Sequence, residues 1–305
     1  MKKQLSLSVF FITFFTCAGF LFLAPQNSRK VIDGMIQKRV EDVVTNVQHS
    51  VEAYNYSNFA TIHIAASMPY IKDPKIPIKQ KSEQLFGVKE ADPNLIGLNI
   101  TDLQGNSYLV EGPLYNFSER AYFKNALKGK ETIFGPIYNK VTNIPTIFYG
   151  SPLYDENENL SNTFFLAARG ENLSKFCNQN VIGNGGKTMI IRRSTGIVIA
   201  DIESENVLKK NLYDDAAEMG IEELHDITTS IANGEKAVKI VTPKNYSGFV
   251  IGYTPISGTD WSVVAYTNYS DFQKPIVAQQ RTLFLFAALM LLLSGLVSLI
   301  IWKKL

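Results

Sequence analysis

Cysteine is nearly absent from this chain, with 2 residues in 305. Cys17 falls within an apolar run, and Cys177 is the single thiol of the long polar region that follows. One thiol cannot form a disulfide within that region, so a disulfide framework is excluded there. The fold must therefore depend on its own hydrophobic core, for which the chain is long enough.

An excess of charge of either sign is also missing. The 30 basic and 28 acidic residues leave a formal net charge of +2. Proteins that bind nucleic acids usually carry a concentrated basic patch. The charge balance therefore argues against a nucleic-acid partner.

Histidine is scarce, with 3 residues scattered along the chain. His49 and His63 fall on one predicted helix about four turns apart, which is too far to share a metal ion. The sequence offers no cluster of histidine and cysteine and no nucleophile–base pair. We therefore expect no metal site, no cofactor and no enzymatic activity.

Two long apolar runs indicate the class of protein. They are LSLSVFFITFFTCAGFLFLA, residues 5–24, and LFLFAALMLLLSGLVSLIIW, residues 283–302, and both are uncharged. About 20 apolar residues in a helix are enough to cross the hydrocarbon core of a bilayer. A cleaved signal peptide would have a shorter core and a cleavage site of small residues, so the first run is interpreted as an uncleaved anchor.

Basic residues flank the two runs on the sides away from the polar region. Lys2 and Lys3 precede the first run, and Lys303 and Lys304 follow the second. Because basic flanks remain on the cytoplasmic side, both termini are predicted to be cytoplasmic. The region between the runs is then extracytoplasmic, and the protein contacts the lipid bilayer through two transmembrane helices.

Residues 31–67 are predicted to form one long helix that continues from the first span. Apolar residues recur at steps of three and four, as on one face of an α-helix. This stripe could pack against the rest of the chain or against a second copy in a homodimer. Its members are Ile36, Val40, Val43, Val47, Val51 and Tyr54.

The rest of the polar region repeats one order of elements. Each half contains a strand hairpin, a helical segment and three further antiparallel strands. This order predicts an α+β fold with two tandem PAS-like modules, each a five-stranded antiparallel sheet with helices. The predicted parts are 1–4 cytoplasmic, 5–24 transmembrane, 25–68 stalk helix, 69–170 membrane-distal module, 171–270 membrane-proximal module, 271–282 linker, 283–302 transmembrane and 303–305 cytoplasmic.

The segment SERAYFKNALKGK is predicted to form a short amphipathic helix with a cation at its start. Ser118 is a suitable N-cap, and Gly129 is placed for a left-handed residue at the end. Arg120 falls in the first turn, where the helix dipole disfavours a cation by roughly 0.3–1 kcal/mol. Either an anion joins Arg120 there, or Arg120 forms an ordinary ion pair with Glu111 or Glu119.

The chain resembles double Cache sensor domains over about residues 30–270. The segments that carry the resemblance are ERAYFKNALKGK, FGPIYN, NIPTIFYGSPLYDENENL and VIGYTPISGTDWSVVAYTN, in this order between two apolar runs. Such domains lie outside the membrane in bacterial chemoreceptors, sensor kinases and diguanylate cyclases. The resemblance implies a two-pass protein of the bacterial inner membrane that binds a small molecule in its distal module and signals across the membrane, as in chemotaxis.

The resemblance also implies a ligand site. In many amino-acid-binding members, an arginine at the start of this helix grips the ligand carboxylate, and aromatic residues just after it shape the pocket. Arg120, Tyr122 and Phe123 match those positions. Ordinary packing of a helix on a sheet would also account for the two rings. Further candidate ligand contacts lie on the strands that follow: Tyr138, Asn139 and Tyr149.

The acids that hold a ligand ammonium in amino-acid-binding members are missing. After Pro136, Asn139 stands where an acid is expected, and Gly170 falls where an aspartate usually ends the fifth strand. A buried ammonium without a partner would cost several kcal/mol. We therefore predict a ligand with a carboxylate or another anionic group and no amine.

Three residues follow the second apolar run, and they cannot form a signalling domain. We expect the cytoplasmic output to lie in a missing C-terminal part or in a separate protein. The alternative function is a structural or assembly protein of the membrane that has no ligand and acts through a separate partner.

Overall fold

A computed structural model of the chain describes residues 2–108, 114–139, 142–183, 185–244 and 247–303. Within these ranges, the side chains of residues 2–7, 9, 20–29, 273–280 and 301–303 are not described. The helices are α1 (Lys2–Ser67), α2 (Pro69–Lys72), α3 (Ile78–Ala91), α4 (Ala121–Ala126), α5 (Glu171–Asn178), α6 (Leu212–Met219), α7 (Glu222–Ala232) and α8 (Ser270–Lys303). The strands are β1 (Leu95–Thr101), β2 (Asn106–Tyr108), β3 (Leu114–Asn116), β4 (Thr132–Tyr138), β5 (Pro145–Tyr154), β6 (Leu160–Arg169), β7 (Lys187–Arg192), β8 (Val198–Asp201), β9 (Ala237–Val241), β10 (Phe249–Ile256) and β11 (Trp261–Asn268).

The apolar stripe of α1 faces the interior of the protein. Its members from Ile36 to Val51 are at most 6% exposed and belong to the main hydrophobic core. Strands of both sheets pack against α1. The predicted long helix is thus confirmed, and its stripe is occupied within one copy of the chain. A homodimer through α1 would have to use another face of the helix, and it stays a prediction.

The first sheet contains four antiparallel strands in the order β1-β6-β5-β4, and β2 pairs with β3 in a separate ribbon. A fifth strand was expected at the β1 edge, where β2 follows β1 through a tight turn. The Asp102 carboxylate accepts hydrogen bonds from the backbone N–H groups of Gln104 and Asn106 at 2.9 and 2.8 Å, which closes this turn. The three residues of β2 then form their ladder with β3.

The second sheet has the predicted five strands, in the order β8-β7-β11-β10-β9. One face packs on α1, and α6 and α7 cover the other. Neighbouring residues alternate between the two sides: Ile190 faces α1, while Met189 and Ile191 face α6 and α7. The mixed α+β fold with a long first helix and two sheet-bearing modules is therefore confirmed. The exact module boundaries stay a prediction.

The two predicted membrane segments are described in part. Within the described residues, Arg281–Ile300 of α8 is the one helical segment long and apolar enough to cross a membrane, close to the predicted span 283–302. In the predicted span 5–24, the side chains of residues 5–7, 9 and 20–24 lie outside the described residues, and Phe10–Gly19 is a shorter apolar stretch. The helix α8 packs against α1 and includes the predicted linker 271–282. The two-pass topology stays a prediction.

Candidate ligand-binding site

A cavity of about 420 Å³ lies on the face of the first sheet that is turned away from α1. This volume falls within the roughly 300–1,000 Å³ that is usual for pockets binding small molecules. Its walls come from both helices and strands, namely α3, α4, β1, β3, β4, β5 and β6. Most of the lining side chains are apolar or aromatic.

Alternation along the strands builds the floor of the cavity. Phe148 of β5 and Phe165 and Ala167 of β6 line it. Their neighbours Tyr149 and Leu166 point to the other face and join the main core around α1. Because side chains alternate across a strand, one apolar strand can serve both the core and the cavity.

The helix α4 packs directly on this floor because β5 carries a glycine beneath it. A Cβ added to Gly150 would lie 2.9 Å from both the Cβ and the backbone oxygen of Tyr122. The Tyr122 ring stacks on Phe148, with ring centroids 5.2 Å apart and planes at 10°. Burial raises the pKa of Tyr122 to about 12, with nearby Arg120 opposing this shift. Tyr122 therefore presents a neutral hydroxyl and an aromatic wall.

Arg120 is the N-cap of α4 and lines the cavity in a half-buried position. The predicted N-cap, Ser118, is wrong. Its hydroxyl and backbone N–H both bind the Asn116 side-chain oxygen, at 2.6 and 3.0 Å, and the helix begins only at Ala121. The guanidinium itself supplies a charge that attracts anions at the start of this 6-residue helix.

The ion pair predicted between Arg120 and a glutamate is not found among the described residues. Glu119 pairs with Lys124 at 2.7 Å, and Glu111 lies outside the described residues. In the part of the chain that the structure describes, Arg120 forms no salt bridge. Among the described residues, no carboxylate therefore neutralises the charge of Arg120.

A second cation lines the cavity from α3. The Lys89 ammonium lies 5.4 Å from the centroid of the Phe86 ring, which also lines the cavity, and it forms a salt bridge with Glu90 outside the lining. Among the described lining residues there is no aspartate or glutamate. The cavity therefore combines aromatic walls with two cationic side chains, of which Lys89 is paired with Glu90 and Arg120 has no described carboxylate partner.

The end of β4 and the residue that follows it supply two of the predicted contacts. Tyr138 and Asn139 line the cavity together with Ile137. The backbone N–H of Asn139 donates to the Ile144 carbonyl at 3.0 Å, which fixes the start of the turn between β4 and β5. At Asn139 the cavity receives a neutral amide, where amino-acid-binding relatives are expected to have an acid.

Two predicted contacts lie outside the cavity. Phe123 is 3% exposed and packs with Tyr122 and Phe165 in the apolar cluster beside it. Tyr149 is fully buried on the α1 side, where its hydroxyl donates to the Asn55 side-chain oxygen at 2.8 Å. The prediction at Tyr149 was wrong by one position, because Phe148 is the residue of β5 that faces the cavity.

Gly170, where the sequence predicted that an aspartate is missing from the site, also lies outside the cavity. Gly170 is the N-cap of α5, and its backbone N–H donates to the Pro145 carbonyl at 2.7 Å, outside the cavity lining. The residues of β6 that do line the cavity, Phe165 and Ala167, are neutral as well. The described lining therefore offers no carboxylate to an ammonium group.

Several lining residues were not predicted from the sequence. They come from α3, β1, β3 and the residue that follows β3, none of which carries a recognisable motif. In the sequence, nothing distinguishes Lys89 from other surface lysines. It lines the cavity because α3 packs there. The other missed residues include Phe86, Asn99, Tyr115 and Phe117.

A long helix with two antiparallel sheets along it, and a cavity on the outer face of the first sheet, defines a tandem PAS-like architecture. A family model for the double Cache domain, described as "Cache domain", matches residues 26–276. The chain belongs to this family, which confirms the resemblance seen in the sequence.

Solved structures of sensor domains share the fold. The ligand-binding domain of the Campylobacter jejuni chemoreceptor Tlp3, in complex with L-norvaline, is 13% identical over 81% of this chain and 96% of that chain, with a TM-score of 0.61. The periplasmic sensory domain of the C. jejuni chemoreceptor Tlp1 is 11% identical over 80% and 99%, with a TM-score of 0.59. An extracellular ligand-binding receptor from Desulfohalobium retbaense is 11% identical over 74% and 39%, with a TM-score of 0.56. A search of curated protein sequences found no match.

Proposed function

We propose that the chain is a membrane-anchored extracytoplasmic sensor whose first module binds a small carboxylate, or a similar anion, that has no amine. One observation carries the proposal: Arg120 and Lys89 line the cavity, and no described lining residue is acidic. An anion placed between aromatic walls and these cations would be held by charge rather than by shape alone.

The choice of anion follows from the chemistry of the two cations. A guanidinium binds a carboxylate through two parallel hydrogen bonds, and such charge-assisted bonds are roughly twice as strong as neutral ones. Aromatic walls exclude water and so strengthen the attraction. The Tlp3 domain holds the amino acid L-norvaline. In this chain, an ammonium in the cavity would have Asn139 and no described carboxylate among the lining residues.

Signalling requires that the ligand bind one state of the protein better than another. The two routes from the first module towards the membrane segments are α1 and the second sheet with α8. We further propose that the output belongs to a C-terminal continuation or a separate cytoplasmic protein, and that any homodimer uses an outer face of α1.

A thermal-shift screen of the full-length chain in detergent tests the proposal. The compounds are paired so that a hydroxyl replaces an amine: lactate against alanine, and malate against aspartate. We expect at least one hydroxy acid to raise the melting temperature, since ligand at 100 times its Kd stabilises by about 2.7 kcal/mol. The amine partner should have a smaller effect.

Each other outcome of the screen has a definite meaning. Stronger stabilisation by alanine or aspartate would contradict the absence of an amine in the ligand. No stabilisation by any acid, amino acid or amine would contradict the sensor function. The alternative of a ligand-free assembly protein would then take its place.

A further inference from the structure

The strand β4 forms part of the cavity wall, and its regular pairing with β5 is interrupted at two residues, Gly135 and Pro136. Phe134 and Ile137 line the cavity, and the register of β4 against β5 shifts between them. Gly135 has φ +109°, and a Cβ added there would lie 2.7 Å from the Thr146 carbonyl oxygen. Only glycine fits this conformation without strain. The bulge thus frees the carbonyls of Gly135 and Pro136 from the first sheet.

The second module binds both freed carbonyls. The indole Nε1–H of Trp261 donates to the Gly135 oxygen at 3.1 Å, and the guanidinium Nη2 of Arg192 donates to the Pro136 oxygen at 3.1 Å. Trp261 and Arg192 lie directly opposite each other on β11 and β7. Trp261 is 3% exposed, so its N–H has no solvent alternative. Two adjacent carbonyls of β4, between two residues that line the cavity, are therefore held by two neighbouring side chains of the other module.

The strand that begins at Trp261 leads to the C-terminal helix. β11 is the central strand of the second sheet and runs from Trp261 to Asn268. Tyr269 alone separates it from α8, and the Tyr269 hydroxyl donates to Asp33 of α1. A displacement of Trp261 along the strand would therefore reach the junction of α1 and α8.

We propose that Trp261 and Arg192 are positioning residues of the ligand cavity, and that they couple its occupancy to β11 and α8. The positioning stands on the geometry of the bulge alone, whereas the coupling rests on the proposed function. Coupling is reciprocal, so a second module that moves on ligand binding must also set the affinity of the cavity.

Hydrogen exchange tests the positioning without any ligand. In the full-length chain, Trp261→Phe keeps a ring and removes the N–H donor. We expect amide exchange in residues 132–139 to accelerate several-fold. The matched control is Tyr266→Phe, on the same strand but on the face covered by α6 and α7. It should leave exchange in β4 unchanged.

A purely structural role predicts a different exchange pattern. Faster exchange throughout the second sheet, or unchanged exchange in β4, would overturn the positioning. If Trp261→Phe fails to fold, Arg192→Met serves instead, because it removes the second donor from a half-buried site. It should also accelerate amide exchange in residues 132–139.

Tryptophan fluorescence tests the coupling. The chain has 2 tryptophans, so Trp302→Phe leaves Trp261 as the sole emitter. Trp261 is not among the cavity-lining residues, so a ligand there cannot quench it by contact. Titration with lactate and malate should shift the Trp261 emission with the same midpoint as the thermal stabilisation. Trp261→Phe should weaken the affinity about 5- to 10-fold, within the usual range of coupling between sites.

The failures of the two proposals are distinguishable. Saturable stabilisation by an acid with unchanged Trp261 emission overturns the coupling and leaves the sensor function standing. Absence of stabilisation by any compound contradicts the sensor function and with it the coupling, while hydrogen exchange still decides whether Trp261 positions the wall.

Discussion

Phe148 and Tyr149 are consecutive residues of β5 that face opposite sides of the first sheet. Phe148 stacks on Tyr122 in the cavity, and Tyr149 donates a hydrogen bond to Asn55 of α1. One strand thus contacts both the candidate ligand site and the long helix. The distinction between these two neighbours gives the first prediction.

Replacing Tyr149 by phenylalanine should destabilise the protein without weakening ligand binding. The change leaves the buried Asn55 oxygen without its donor, and an unsatisfied buried group costs about 1–3 kcal/mol. Denaturant unfolding measures this loss. Tyr154→Phe on the same strand is the control, because Tyr154 is 42% exposed and should change stability by less than about 0.5 kcal/mol. Equal stability of the two variants would refute the role of Tyr149.

Replacing Gly150 by alanine should displace α4 and disrupt the cavity. The new Cβ would lie 2.9 Å from atoms of Tyr122, and such overpacking costs about 1–3 kcal/mol. Gly87→Ala in α3 is the matched control, because a Cβ there meets nothing within 4 Å. That control should stabilise the helix by about 0.5–1 kcal/mol. Unfolding curves and acid-induced thermal shifts check both effects. Unaltered binding by Gly150→Ala would contradict the close packing of α4.

Replacing Lys89 by glutamine should discriminate between ligands with one and two negative groups. Arg120 accounts for one carboxylate, and Lys89, which would have to exchange its partner Glu90, is the other cation of the described lining. We expect malate affinity to fall about 3- to 10-fold and lactate affinity to change less, because a partly exposed charge contributes about 1 kcal/mol. Isothermal titration measures both. Lys128→Gln, at an exposed site outside the lining, should bind like the parent protein. Equal losses of affinity for the two acids would contradict the role of Lys89 in binding a second carboxylate.

The parts of the fold that follow a simple period could be predicted from the sequence. The stripe of α1 and the five strands of the second sheet were found this way, because residues 3 or 4 apart share a helix face and turn residues bound each strand. In the first half, β3 was not predicted, and β2 joins it outside the four-stranded sheet. Four of the six candidate contacts, Arg120, Tyr122, Tyr138 and Asn139, line one cavity, and their role in binding a ligand stays a prediction.

The parts that depend on which face a residue occupies could not be predicted. The strand PTIFYGSPLY is apolar on both faces, so no alternation separates Phe148 from Tyr149. Lys89 reaches the cavity only because α3 packs beside β1, a contact that no local pattern encodes. The N-cap at Ser118 failed because Asn116 binds the same hydroxyl and N–H.

The most direct test of the account is the affinity of Arg120→Ala and Arg120→Lys for the hydroxy acid that stabilises the full-length chain. Isothermal titration should show a loss of at least 10-fold for alanine, because a hydrogen bond to a charged group contributes about 1.5–3 kcal/mol. Lysine should restore part of the affinity, since it returns the charge without the planar fork. Arg169→Ala, which removes a cation paired with Glu171 outside the cavity, should bind like the parent. Undiminished binding by Arg120→Ala would contradict the anion site at this residue.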